Sequence, residues 1–188
     1  MTHDVIVVLS ALGVVGQALA GLMLLVALAW LLGWRTPGDA VGAALEGYEL
    51  WLVFLVSSIA TGGSLFFSEI AGFVPCELCW FQRICMYPLT IVTLLAALAN
   101  DRRVSRYLLP LPLVGAGVSV YHLLVENHVV SQAQACLISA PGGCATKWIN
   151  EFGYMTIPTL ALTAFALCFG FLLLGALPRV SRATVRAS

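Results

Sequence analysis

Charge is scarce in this sequence. Acidic and basic residues together make up 10% of 188 positions, nine of each sign, where an ordinary soluble domain carries about 25%. The balance is zero, and no basic cluster is interleaved with aromatics, so no electrostatic footprint for nucleic acid exists. The leader Met1, Thr2, His3, Asp4 has no lysine or arginine. A signal peptide would start with positive charge, so the apolar run behind this leader reads as a retained helix. Internal repeats, low-complexity tracts and a second domain are also missing. What is present is apolar: 61% of the residues, with a mean hydropathy of +0.98. The chain reads as an all-α integral membrane protein.

About 20 helical residues suffice to cross a bilayer, and five stretches qualify: residues 5–34, 50–67, 75–99, 107–125 and 155–177. Gly13, Gly16, Gly21 and Gln17 interrupt the first and offer it a packing face. Pro110 and Pro112 are expected to kink the fourth or delay its start, and Pro158 suits the first turn of the fifth. Arg102, Arg103 and Arg106 lie between spans three and four, and Arg179, Arg182 and Arg186 follow span five. The positive-inside rule places both clusters, with Arg35, on the cytoplasmic side. The N-terminus and the two cysteine-bearing segments then face outward, and the C-terminus inward.

The chain is organised around residues 75–88, where Pro75 leads into Cys76, Glu77, Leu78, Cys79 and, four residues on, Arg83. On a helix Cys76, Cys79 and Arg83 share one face. Proline costs nothing at a helix mouth, and the dipole and the Arg83 guanidinium both favour a thiolate, the nucleophile of disulfide exchange. Structural thiols, or half of a zinc site, are the alternative reading of such a pair.

Cys136 and Cys144 form a second pair, closed over Pro141, Gly142 and Gly143, which let the chain double back. Paired cysteines suggest an oxidising face. A purely structural bridge remains open, as does a zinc site built from all four outward cysteines. Cys85 and Cys168 fall within spans and read as small buried hydrophobes. After Cys144, Trp148, Ile149 and Phe152 fall on one helical face and Lys147, Asn150 and Glu151 largely on the other, as in a short helix lying in the membrane interface, with an irregular loop anchored by Trp148 as the alternative.

The order of span, C-x-x-C with Arg83, span, arginine-rich turn, span, second cysteine pair and span resembles the disulfide bond formation protein B family (DsbB). The run from Cys76 to Pro88 is most similar to its BdbC branch. The resemblance covers roughly residues 50–177 and implies a four-helix transmembrane bundle, to which residues 1–49 add one N-terminal helix and a loop, and residues 178–188 a basic cytoplasmic tail. It also implies a thiol:quinone oxidoreductase of the bacterial inner membrane. Cys136 would take electrons from a secreted or periplasmic thioredoxin-fold oxidase of the DsbA or BdbD kind. Cys144 would exchange with Cys76, and Cys79 would be left as the thiolate facing ubiquinone or menaquinone, with Arg83 stabilising charge. His122 and Gln82 would be further quinone contacts, or else a histidine satisfied by a neighbouring backbone group and a polar group of helix packing. No metal is implied. Vitamin K epoxide reductase relatives carry their loop cysteines before the C-x-x-C, the reverse of the order here. A non-enzymatic scaffold braced by outer disulfides is the competing reading.

Overall fold

The computed structural model describes residues 2–34 and 41–176. Arg35, Pro37, Gly38 and the tail arginines Arg179, Arg182 and Arg186 lie outside the described residues, as do the expectations resting on them. The chain runs through α1 (Thr2–Leu31), α2 (Glu49–Leu65), α3 (Glu77–Leu98), α4 (Val104–Leu108), α5 (Pro110–Glu126), α6 (Gln134–Ser139) and α7 (Ile157–Ala176). Five segments are long and apolar enough to cross a membrane: Thr2–Ala29, Glu49–Ile70, Glu77–Leu98, Val104–Glu126 and Ile157–Ala176. The architecture is the all-α membrane bundle read from the sequence, a four-span core joined by an N-terminal helix.

Pro110 delays the fourth span as expected. It takes the first position of α5, where its missing N–H costs nothing, and the chain breaks at Leu109 between α4 and α5. Helix α7 is the hub, packed against α1, α2, α3, α4 and α5. Its Phe165, Cys168 and Leu172 are fully buried beside Leu89 of α3 and Val53 of α2. Lipid is as apolar as these side chains, so close packing and interhelical hydrogen bonds hold the bundle together. Both devices are visible. A Cβ at Gly115 would run into the Phe165 ring, so glycine permits the closest α5–α7 approach. Across α2 and α3, the Thr61 and Thr90 hydroxyls share a hydrogen bond of 3.0 Å.

Arg102 pairs with Glu49 at 3.5 Å, and Arg106 Nε donates to the Ala176 carbonyl at 3.2 Å. These contacts tie together the end of the bundle where α2 begins and α7 finishes. Both cysteine pairs sit at the opposite end. Cys85 and Cys168 are buried in the core, as small hydrophobes would be.

Candidate redox site

The site begins where α2 fails to stop cleanly. Its last turn widens over Phe66–Ile70, with the Ala71 N–H reaching back to the Phe66 carbonyl at 2.9 Å. Gly72, at φ +73°, then turns the chain toward Pro75. Cys76 is the N-cap of α3 rather than its first helical residue. Its backbone is extended (φ −74°, ψ 172°), and its Sγ accepts from the Cys79 N–H at 3.4 Å. The positive end of the helix therefore falls on this sulfur. Cys79 Sγ lies 2.9 Å away, and both are free thiols.

The resemblance leaves Cys79 as the thiolate once Cys76 has joined Cys144; the inner pair here is in another state, with both cysteines free. The hydrogen bonds of this pair favour charge on Cys76, whose pKa is held below the ordinary thiol range, chiefly by the bond from the Cys79 side chain. His122 and the Cys79 N–H add to this, and burial opposes it. An ordinary thiol loses about tenfold in thiolate, and hence in alkylation rate, for each pH unit below its pKa of about 8.5. Cys76 should therefore keep its thiolate at pH values where an ordinary thiol has lost it. With the inner pair reduced, its iodoacetamide rate, followed by site-resolved mass spectrometry, is expected to stay nearly flat from about pH 8 to pH 6. A fall of about 100-fold over that interval would return Cys76 to ordinary behaviour.

Arg83 is buried one turn beyond Cys79. Its Nε donates to Ser64 Oγ and its Nη2 to the Ser64 carbonyl, both at 2.9 Å, while the guanidinium lies 5.2 Å from the centre of the Trp80 ring. Two of its five N–H donors are thus fixed by α2 and the rest remain for a ligand. Cys79, Gln82, Arg83 and Ser64 gather on the wall of a cavity of about 320 Å³ whose other walls are mainly apolar, among them Phe67, Met86 and Tyr87. Such a cavity suits a flat, apolar molecule with acceptor oxygens.

Gln82 borders this cavity, but its amide nitrogen is engaged elsewhere, donating to Ser119 Oγ at 3.1 Å and lying 3.4 Å from His122 Nδ1. His122 is not among the residues lining it. Its Nε2 faces the Cys144 carbonyl at 3.1 Å and Cys76 Sγ at 3.7 Å. A carbonyl only accepts, so Nε2 carries the proton and Nδ1 accepts from Gln82. His122 therefore stands between the two cysteine pairs.

Cys136 and Cys144 are joined by a disulfide. With Cys136 and Cys144 bonded to each other, a four-cysteine zinc array is not assembled in this state. The pair is sealed from solvent, the two cysteines being 2% and 1% exposed. They pack in one apolar cluster with Cys76, Leu78 and Val125. The loop is pinned where the Glu77 N–H donates to Ser139 Oγ (3.1 Å) and the Cys144 N–H to Gln132 Oε1 (3.0 Å). A crevice of about 10 Å³ separates the pairs, bordered by Cys76, Cys79, His122, Cys144 and Glu126. Glu126, which sequence reasoning missed, is buried and accepts from Thr156 Oγ1 at 2.8 Å. Cys79 borders both this crevice and the large cavity.

The interfacial helix expected after Cys144 is absent. Phe152 and Gly153 adopt positive φ (54° and 79°), and Glu151 pairs with Met155 in a tight turn. Trp148 stacks on Phe73 at 5.2 Å, and Ile149 is buried with Ile6 and Phe67. These ring and core contacts outweigh the amphipathic pattern.

Residues 48–175 match the family described as disulfide bond formation protein DsbB. Disulfide bond formation protein C of Bacillus subtilis (strain 168) is 44% identical over 128 residues, covering 68% of this chain and 89% of the relative. A probable disulfide formation protein of Deinococcus radiodurans is 42% identical over 133 residues, covering 66% and 86%. Probable disulfide formation protein C 1 of Bacillus anthracis is 44% identical over 121 residues, covering 64% and 86%. No solved structure matches.

Proposed function

Because the chain belongs to the DsbB family of disulfide bond formation proteins, we propose that it is a protein-dithiol:quinone oxidoreductase. The coarser role, disulfide bond formation by a multi-pass membrane protein, comes with the family and the five apolar spans. The observation that carries the finer reading is the position of Cys79, on the wall of both the crevice between the cysteine pairs and the large apolar cavity. The cavity fits a quinone: apolar walls for a ring, with free Arg83 N–H groups at one end for its oxygens.

Electrons enter when a thiolate of a secreted thioredoxin-fold oxidase attacks Cys136, releasing Cys144. The partner's second thiol breaks the mixed disulfide, and the partner leaves oxidised. Cys144 then attacks Cys76 of an oxidised inner pair, forming the Cys144–Cys76 bond and releasing Cys79 as a thiolate beside Arg83. Attack of Cys136 on Cys144 re-forms the outer disulfide and expels Cys76. A low-pKa thiol leaves fastest, and Cys76 is built as one by its N-cap position and by His122. The outcome, an outer disulfide and an inner dithiol, is the bonding pattern in the structure. A bound quinone, of the ubiquinone or menaquinone class, supplies the sink for two electrons and two protons, which balances the loss of two thiols from the partner.

Arg102, Arg103 and Arg106 lie at the end of the bundle remote from the cysteines, which supports a cytoplasmic placement for them and an outward one for both pairs. The test is quinone absorbance after mixing the purified protein with a soluble quinone and a reduced thioredoxin-fold dithiol protein. Loss of absorbance matched one for one by partner disulfide is expected. Stable cysteines and unchanged quinone across several pairs would leave a braced scaffold instead.

A further inference from the structure

Helix α1 precedes the family-matched residues 48–175, yet it does not stand apart from the bundle. Gly13 approaches α7 so closely that a Cβ would meet Leu160, and a Cβ at Gly16 would lie 2.9 Å from Thr163. On the α2 side, Leu9 sits 3.3 Å from where Gly63 would carry a Cβ. The Tyr154 hydroxyl donates to Gln17 Oε1 at 3.1 Å, fixing the helix to the outer loop. Of the glycines expected to form a packing face, Gly13 and Gly16 do so, against α7, while nothing lies within 4 Å of a Cβ at Gly21.

Docked this way, α1 becomes a wall of the large cavity. Leu9, Leu12, Val15 and Leu19 line it, a set spanning about 15 Å along the helix at 1.5 Å per residue. Val56 and Ile59 of α2 and Leu167 of α7 extend the same lining away from the polar end. The cavity thus has two parts: a head with Cys79, Arg83 and Ser64, and an apolar lane with α1 along one side. A ring alone needs only the head.

We propose that α1 holds the apolar tail of a membrane quinone, and that Leu12 and Leu19 set which tails the lane accepts. This rests on reading the head as the quinone site. It gives the N-terminal helix a binding role that the matched core lacks on its own, since without α1 the lane would open to lipid between α2 and α7.

The experiment uses the full chain carrying Leu12→Trp or Leu19→Trp, with Leu25→Trp as control, Leu25 being 64% exposed and not on the cavity wall. Steady-state KM is compared for a long-tailed quinone and a tail-less analogue. Filling the lane is expected to raise KM for the tailed quinone about tenfold or more and to leave the tail-less one within about twofold. Binding is read separately with a quinone bearing a photoreactive group on its tail, in both the unaltered protein and Cys79→Ser. Label on residues 9–19, displaced by excess quinone but not by phospholipid, is expected. Label elsewhere, displacement by phospholipid, or equal effects on both quinones would overturn the role of α1 while the parent reading stands. Failure of the unaltered protein to reduce any quinone would overturn both.

Discussion

Replacing Cys79 with serine is expected to stop steady-state quinone reduction, a loss of about 10⁴-fold or more, because the step that moves electrons into the cavity needs a second sulfur. The fold should survive. A serine hydroxyl can still donate to Cys76 Sγ, and the backbone N–H of position 79 keeps its bond to that sulfur, so the start of α3 is preserved. The Cys136–Cys144 disulfide is untouched by the change. One equivalent of partner dithiol should therefore be oxidised per protein in a single burst, with nothing after it. Rapid-mixing measurement of partner disulfide against quinone absorbance separates the two phases. Continued turnover in Cys79→Ser would remove Cys79 from the electron path.

Arg83→Ala is expected to slow quinone reduction by roughly 10² to 10³-fold, the usual cost of removing one preorganised donor from charge that develops during reaction. The burst of partner oxidation should be spared, since the outer disulfide makes no contact with this guanidinium. Arg83→Lys should fall between the two. A single ammonium cannot reproduce the fork that binds Ser64 Oγ and the Ser64 carbonyl together, so the charge returns without its fixed position. Comparison of kcat and KM for the three proteins checks this. Turnover of Arg83→Ala within about threefold of the unaltered protein would reduce Arg83 to a strut between α2 and α3.

Much of this was legible in the chain. Long apolar runs specify spans because a bilayer leaves a backbone few ways to satisfy its hydrogen bonds. Pro75, C-x-x-C and Arg83 fall within nine residues, so helical spacing alone brought the inner pair and its cation together. What stayed hidden depends on register between helices. Ser64 anchors Arg83 only because of how far α2 slides along α3, and no local pattern records that. Which way His122 faces is set by the Cys144 carbonyl, 22 residues away in sequence. Glu126 gave no signal, since a carboxylate ending an apolar run usually marks water, whereas here Thr156 covers it. The segment after Cys144 misled for a related reason. Its amphipathic spacing was real, but Phe73 offered Trp148 a better surface than the membrane interface did.

The burial of the outer disulfide has a consequence for what the protein ignores. Thiol–disulfide exchange requires the attacking sulfur to approach along the S–S axis, and a bond sealed among Leu78, Val125 and Ala140 presents no such line to a solute. The bonds from Glu77 and Cys144 to the loop must yield first. A thiol that merely collides cannot break them, while a folded partner that grips the loop can. On the proposed reading, the latch would insulate a quinone sink from stray small-molecule reductants and admit electrons only from a protein able to open it.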